Sequence, residues 1–307
     1  MVKAQPRKAL TPGARRKRRR INLAGLAFIS PWLFGLIFFT SIPMLYSLYL
    51  SFCDYDVLSA PVFVGVKNFA TMLSDSTFWT SLGVTFKYVF ILVPLRLAAA
   101  LGVAMILAKK HRGIGIYRTV YYIPSLLGGS VAISIIWSYM FGTNGAVNGI
   151  ISSLIGKTYA FNWVGEPSTA LYSLILLGCW HFGSAMLIFI SGLKQIPVSY
   201  YEAAEIDGAT PWQRFTHITI PQLSPVIFFN LVQGIINAFK NFTEALVITD
   251  GGPLNKTMLF SLYIYKNGFK YFKMGYAASM SWVLLLIIAF FSVFVFSSSE
   301  SWVHYES

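Results

Sequence analysis

Charged residues are scarce in this sequence. Of its 307 residues, 11% are charged and 56% are hydrophobic, whereas soluble domains carry about 25% charged residues. A soluble chain of this composition would expose large apolar patches and associate through them. The composition therefore predicts a membrane protein and argues against a soluble enzyme.

The sequence also has few cysteines, and it lacks a glycine-rich motif for binding a nucleotide. The two cysteines, Cys53 and Cys179, follow or lie within apolar runs, a pattern that predicts neither a disulfide framework nor a metal site. The GKT at 156–158 would need a glycine at position 151 to form a P-loop, and the sequence has Ile151 there. Without that phosphate cradle, we expect no nucleotide binding, no cofactor and no catalytic residue in this chain.

The net charge of +13 is concentrated at the N-terminus. Residues 3–20 hold nine of the 24 Lys and Arg residues and no acidic residue. Such a tail could bind nucleic acid, but it directly precedes the first long apolar run, where the positive-inside rule expects basic residues. That run, 21–50, is too long for a cleaved signal peptide. We therefore predict a cytoplasmic basic tail over 1–20.

Six segments contain the roughly 20 mostly apolar residues that a membrane-spanning helix needs. They lie near 24–50, 83–108, 117–141, 169–193, 223–248 and 277–298. Six spans place both termini on one side, and basic residues in the 109–116 and 194–222 loops indicate that this side is the cytoplasm. The sequence thus predicts an all-α, multi-pass protein of the cytoplasmic membrane, with a six-span domain over 21–299 and cytoplasmic tails over 1–20 and 300–307.

The loop between the fourth and fifth spans is too long and too well punctuated for a passive connection. Ser199 and Glu202, and then Thr210 and Gln213, have the spacing of capping boxes, which begin helices. Gly208 lies between them and suits a left-handed turn. The pattern predicts two short helices joined by a turn. An amphipathic hairpin on the membrane surface would fit equally well.

Seven residues of this loop have a recognisable spacing: Glu202, Ala203, Ala204, Asp207, Gly208, Ile218 and Pro221. That spacing resembles the EAA loop of ABC-importer permeases. The segments ALVITDGGPLNKT at 245–257 and GYAAS at 275–279 are similar to the carbohydrate-uptake permeases, a group that includes the maltose and glycerol-phosphate importers. The segments 30–52 and 63–69 also fit that group, so the resemblance covers nearly the whole chain after residue 20.

The resemblance implies a permease subunit that depends on several partners. These would be a second, homologous permease, two ATPase subunits that bind ATP and Mg, and an external solute-binding protein that delivers a sugar or oligosaccharide. The residues that would contact an ATPase are Glu202, Ala203, Ala204, Asp207 and Gly208. Membrane lipid would surround the spans, and we expect no nucleic-acid partner.

Polar residues within the spans are costly in a membrane and are candidates for function. They form two helical stripes, Trp180, His181 and Ser184 in the fourth span and Gln233, Asn237 and Asn241 in the fifth. Sugars suit such surfaces, because hydroxyl groups bind amides and the ring stacks on aromatic planes. With the resemblance, the implied substrate-binding set is Trp180, His181, Ser184, Gly234, Asn237, Ala238 and Asn241. The alternative is that these residues only join packed helices.

Several alternatives remain open at this point. Glycerol phosphate or an acidic saccharide would also suit the site, because Arg96 and Lys240 could complement an anion. An ion-coupled secondary transporter is the other class of function, although such a transporter has no use for a docking loop.

Three smaller expectations concern individual residues and one segment. Lys240 and Glu244, four residues apart, are expected to neutralise each other, and His181 has no acidic residue near it in sequence. Arg96 is expected to snorkel or pair, and the aromatic segment 260–276 to form an interfacial belt.

Overall fold

The structure, a computed structural model, describes residues 25–109 and 112–304. The predicted basic tail over 1–20 lies outside the described residues, as do the last residues of the predicted C-terminal tail, 305–307. Within the described part, helices dominate, and two strands of two residues each form a small antiparallel pair, Cys53–Asp54 (β1) with Val62–Phe63 (β2). The predicted all-α class is confirmed.

Four helical segments of the described chain are long and apolar enough to cross a membrane. They are α1 (Gly25–Ser51), α3 (Ser76–Ala108), the segment Pro211–Ile248 and the last helix (Met274–Trp302). Two further candidate spans are bent pairs: α4 (Ile114–Leu127) with α5 (Val131–Met140) at 102°, and α7 (Ala170–Trp180) with α8 (Gly183–Leu193) at 43°. If each pair is one span, the total agrees with the six that the sequence predicts.

The remaining helices are α2 (Lys67–Ser74), α6 (Ala146–Ile155), α9 (Val198–Ile206), α10 (Pro211–Arg214), α11 (Ile220–Lys240), α12 (Thr243–Ile248) and α13 (Phe260–Tyr265). The last long helix, Met274–Trp302, is α14. π-helical turns join α10 to α11 over Phe215–Thr219 and follow α13 over Lys266–Lys270. The segment Pro211–Ile248 therefore contains α10, α11 and α12.

The third predicted span, 117–141, is broken into two helices. Its helix stops at Leu127 because Gly129 has a φ of +74° and Ser130 is extended. A left-handed glycine ends a helix at little cost. The turn of 102° brings α5 against α12, so this half-span covers the C-terminal end of the fifth span.

Helix α3 lies at the centre of the bundle and contacts α7, α8 and α11. Its fully buried Tyr88 and Leu92 belong to a core that includes Leu174, Phe239 and Phe260 from other helices. Because α3 packs against α7, α8 and α11, this core sets where the polar residues of those three helices lie relative to one another.

Two expectations about the 194–222 loop are wrong. Helix α9 begins after Pro197, with no side-chain cap, so Ser199 and Glu202 do not form a capping box. The second predicted short helix is the start of the fifth span, because α10 continues through the π-helical turn into α11. Pro221 and Pro225 do not interrupt it. Pro221 lies in the first turn of α11, where proline is tolerated. Pro225 lies inside the helix and leaves the Pro221 carbonyl without its helical donor, and the Ser224 hydroxyl donates to that carbonyl at 2.6 Å.

Candidate functional site

A cavity of about 240 Å³ opens between α3, α8 and α11. Its polar lining consists of Arg96, Ser184, Asn230, Gln233 and Asn237, and its apolar lining includes Leu92, Val93, Ile188, Phe229 and Gly234. Arg96 is the one charged residue among the lining residues. A cavity with amides, a hydroxyl and a guanidinium among apolar walls suits a small polar ligand.

The cavity contains part of the predicted substrate-binding set. Ser184, Gly234 and Asn237 line it, as does Gln233 of the predicted stripe. Trp180, His181, Ala238 and Asn241 lie outside its lining, and Ala238 and His181 are buried. Arg96, which was expected to snorkel or pair, also lines the cavity.

The polar positions lie on exposed helical faces. Along α7 and α8, exposed residues recur every four positions: Tyr172, Leu176, Trp180, Ser184 and Ile188. Along α11 they are Phe229, Gln233, Asn237 and Lys240. Both faces border the cavity, and Trp180 lies half-exposed beside the rings of Trp137 and His181, with centroids 6.0 and 5.6 Å away.

The break between α7 and α8 is held by side chains from two other helices. The His181 carbonyl has no helical partner and accepts hydrogen bonds from Arg96 Nη2 at 2.6 Å and Ser125 Oγ at 3.1 Å. Carbonyls at helix ends need such partners. The Ser184 amide donates to the same Ser125 hydroxyl at 3.1 Å. Arg96 and Ser125 therefore fix the bend at which Ser184 enters the cavity wall.

Glu244 is the centre of a buried polar cluster. Asn241 Nδ2 donates to Glu244 Oε2 at 2.9 Å and to the Tyr88 hydroxyl at 2.7 Å. His181 Nδ1 lies 3.5 Å from Glu244 Oε1, and both side chains are less than a tenth exposed. The cluster joins the breaks of the fourth and fifth spans to α3.

This cluster corrects the expected pairing of Lys240 with Glu244. Lys240 is exposed and does not pair with Glu244. The helical spacing between them is lost because α11 ends at Lys240 and Asn241 is extended, with ψ of 129°. His181 has no acidic residue near it in sequence, and the fold brings Glu244 to it from the fifth span.

The predicted turn at Gly208 is confirmed. Gly208 has a φ of +76°, and the amides of Gly208 and Ala209 donate to carbonyls of the last turn of α9 at 3.1 and 2.8 Å. The capping box of Thr210 and Gln213 is also present: the Thr210 amide donates to Gln213 Oε1 at 2.7 Å, and the Gln213 amide donates to Thr210 Oγ1 at 3.3 Å. The two helices form a fixed corner.

The corner presents a depression with polar and apolar lining residues, next in sequence to two large exposed apolar side chains. Ala204, Asp207 and Gly208 line a depression of about 340 Å³, whereas Glu202 and Ala203 are exposed on α9 beside it. Ile206 is 87% exposed and Trp212 70%. Large exposed apolar side chains around a depression mark an interaction surface.

Asp75 ties together the start of α3, α13 and the start of α14. The hydroxyls of Tyr263 and Tyr276 both donate to Asp75 Oδ2, the latter at 2.8 Å. Partial burial would raise the pKa of Asp75, but these two hydrogen bonds and the Thr77 amide outweigh it and lower the pKa below its ordinary value. Burial, with the bond to Asp75, raises the pKa of Tyr263 to about 12.

The interfacial belt predicted over 260–276 is wrong for its first part. Phe260 is fully buried, because α13 packs on α3 and α14. Lys266 is 5% exposed, and its Nζ lies 2.8 Å from Asp250 Oδ1. Only the later aromatic residues of this segment, Phe269, Tyr271 and Phe272, are exposed.

Comparison with known proteins agrees with this architecture. Residues 100–300 match the family described as "Binding-protein-dependent transport system inner membrane component". The chain belongs to this family. The resemblance to ABC-importer permeases is therefore confirmed, and the chain is a multi-pass permease component of the inner membrane.

Individual relatives cover almost the whole chain. The "Probable ABC transporter permease protein YesP" of Bacillus subtilis (strain 168) is 50% identical over 295 residues, which are 95% of each chain. The "Lactose transport system permease protein LacF" of Rhizobium radiobacter is 33% identical over 294 residues, 92% of this chain and 96% of LacF. A chain of a solved bacterial ABC transporter for alginate, 19% identical, has the same fold, with a TM-score of 0.78 over 93% of this chain and 97% of its own.

Proposed function

We propose that this chain is one of two permease subunits of an ATP-driven importer for a sugar or oligosaccharide. An external solute-binding protein would deliver the saccharide to the outer side. Relatives named for lactose, for arabinooligosaccharides and for starch degradation products support this substrate class. The amides and the hydroxyl in the cavity wall are the groups that bind sugar hydroxyls.

The substrate path would run along the exposed faces of α7, α8 and α11. Ser184, Asn237 and Gly234 would contact the saccharide in the cavity, with Gln233 and Arg96 added to the predicted set. Trp180 would offer an aromatic plane on the way to it. His181, Asn241 and Ala238 would act from behind the wall, by holding the helix breaks in place.

Energy would enter at the corner around Gly208. ATPase subunits that bind ATP and Mg would dock there through the predicted residues Glu202, Ala203, Ala204, Asp207 and Gly208. The loop, and with it both termini, would then face the cytoplasm. The observation that carries this proposal is the fixed corner with exposed Ile206 and Trp212 beside a depression, because an ion-coupled transporter needs no such surface.

Co-purification tests the docking role. Wild-type chain, expressed with its neighbouring genes and tagged at the C-terminus, should retain the ATPase subunits in detergent. Ile206→Ser should lose most of them, while Leu154→Ser, a matched change at an 81% exposed leucine of α6, should not. Equal retention by all three proteins would refute docking at this corner.

A further inference from the structure

A second cavity lies at the outer end of the bundle, between the start of α3 and the start of α7. Its volume is about 300 Å³. Its lining residues are Trp79, Thr80, Gly83, Val84, Lys87, Pro167, Ser168, Leu171, Tyr172 and Lys256. Two of them are basic and none is acidic, so the cavity has a net positive charge.

Aromatic and basic side chains are combined in this cavity. Trp79 is 53% exposed and Tyr172 48%, and Lys87 Nζ lies 4.8 Å from the centre of the Tyr172 ring. A cation–π contact at an exposed site contributes about 0.5–1 kcal/mol. Among the described residues, no carboxylate lies within 4.0 Å of Lys87 or Lys256.

Helix lengths place Lys87 at the outer boundary of the membrane. About 20 helical residues cross the hydrocarbon layer. Counting back from the ends of α3 at Ala108 and α8 at Leu193, that boundary falls near residues 88 and 173. Lys87 and Tyr172 therefore lie at the same level, and Trp79 lies further out.

The exposed face of α7 and α8 joins this cavity to the inner one. Tyr172 lines the outer cavity, Ser184 lines the inner cavity, and Trp180 lies between them on the same face. The charged residues that line the outer cavity are Lys87 and Lys256, and the charged residue that lines the inner cavity is Arg96. A ligand that moves along this face meets aromatic planes and positive charges and no acidic wall.

We propose that the outer cavity is a subsite for an acidic saccharide on its way to the inner cavity. Its sugar ring would stack on Trp79 or Tyr172, and its carboxylate would bind Lys87 and Lys256 before reaching Arg96. This inference rests on the proposed import function and narrows the substrate to saccharides that carry a carboxylate. The observations that carry it are the shared face and the absence of acidic residues from both linings.

Uptake by the complete importer in proteoliposomes, with its binding protein, tests this inference. The probes are trigalacturonate, trimannuronate, their carboxyl-reduced neutral counterparts, maltotriose and arabinotriose. We expect a uronate to be taken up and its reduced counterpart to be transported poorly. Uptake of neutral probes only would overturn the substrate class and leave import intact, whereas no uptake of any probe and no stimulated ATPase activity would refute the proposed function itself.

Variants of Lys87 test the subsite. Lys87→Gln should raise the KM for the uronate about five-fold, as expected for a partly exposed charge pair, with kcat unchanged. Lys87→Arg should restore the KM, and Lys157→Gln, at an exposed lysine of the 156–158 loop outside both cavities, should match wild type. The difference between Lys87→Gln and wild type should shrink at high ionic strength, because salt screens exposed charges.

An unchanged KM in Lys87→Gln, at equal protein level, would overturn the subsite. If co-purifying anionic phospholipid, measured by mass spectrometry, is lost in the same variant, the cavity is assigned to a lipid headgroup instead.

Discussion

Replacing Asn241 with alanine should destabilise the permease as well as stop transport. The substitution removes both donors that Asn241 Nδ2 provides, to Glu244 Oε2 and to the Tyr88 hydroxyl. Glu244 would then keep the contact with His181 at 3.5 Å and the neighbouring Tyr88 hydroxyl. Each buried group left unsatisfied costs about 1–3 kcal/mol, so the change should cost roughly 2–6 kcal/mol in total if the cluster does not rearrange.

Asn237→Ala is the matched control, because it is the same substitution one helical turn away. Asn237 is exposed, lines the cavity, and makes no side-chain hydrogen bond to another described residue. We expect both variants to lose uptake, but only Asn241→Ala to lower the melting temperature of the purified importer. Equal melting temperatures for wild type and both variants would refute the buried cluster and make Asn241 a direct ligand contact.

Trp180→Ala should reduce uptake strongly with a smaller loss of stability, because Trp180 is 38% exposed on the face that borders the cavity. Trp302 is not a suitable control for it: α14 continues through Trp302, whose ring lies 6.1 Å from that of Phe228. Trp32, which is 65% exposed on α1, should tolerate alanine in the same assays. If Trp32→Ala and Trp180→Ala lose uptake equally, the aromatic plane at 180 has no special role.

Three further predictions concern other parts of the chain. Gly208→Pro should uncouple ATP hydrolysis from uptake without preventing membrane insertion, since it removes an amide and a left-handed turn; normal uptake would contradict the role of the corner. The purified chain alone should neither bind nor hydrolyse ATP, and saturable binding in a filter or calorimetric assay would contradict this expectation. Because its pKa is lowered in the folded state, Asp75 should stabilise the protein above the ordinary carboxyl pKa and lose this effect as the pH falls below about 4; thermal melts should therefore show a smaller acid sensitivity in Asp75→Asn than in wild type.

The spans and the corner at Gly208 could be predicted from the sequence because each depends on residues that are close together in the chain. Apolar segments of sufficient length identify helices, and Thr210, Gln213 and Gly208 specify a cap and a turn within a few residues. The same kind of signal failed at Ser199, because Pro197 fixes the start of α9 and leaves no cap to form. It also failed at Gly129, which signals a possible break but not the direction of α5.

The polar clusters could not be predicted from the sequence, because they join residues that are far apart in the chain. Helical periodicity correctly grouped Ser184 on one face and Gln233 with Asn237 on another. It gave no sign that Arg96 would reach the His181 carbonyl, 85 residues away. The end of α11 at Lys240 also removes Asn241 from the stripe and turns Glu244 inward.

Uptake into sealed proteoliposomes tests the central proposal of ATP-driven import most directly. The importer is reconstituted with its binding protein and a labelled saccharide outside, and with ATP and Mg trapped inside. The account predicts that uptake needs internal ATP, persists in the presence of a protonophore, and is lost in Gly208→Pro. Uptake that proceeds without ATP and collapses with the proton gradient would contradict it and would make the buried pair of His181 and Glu244 part of an ion-coupled transporter.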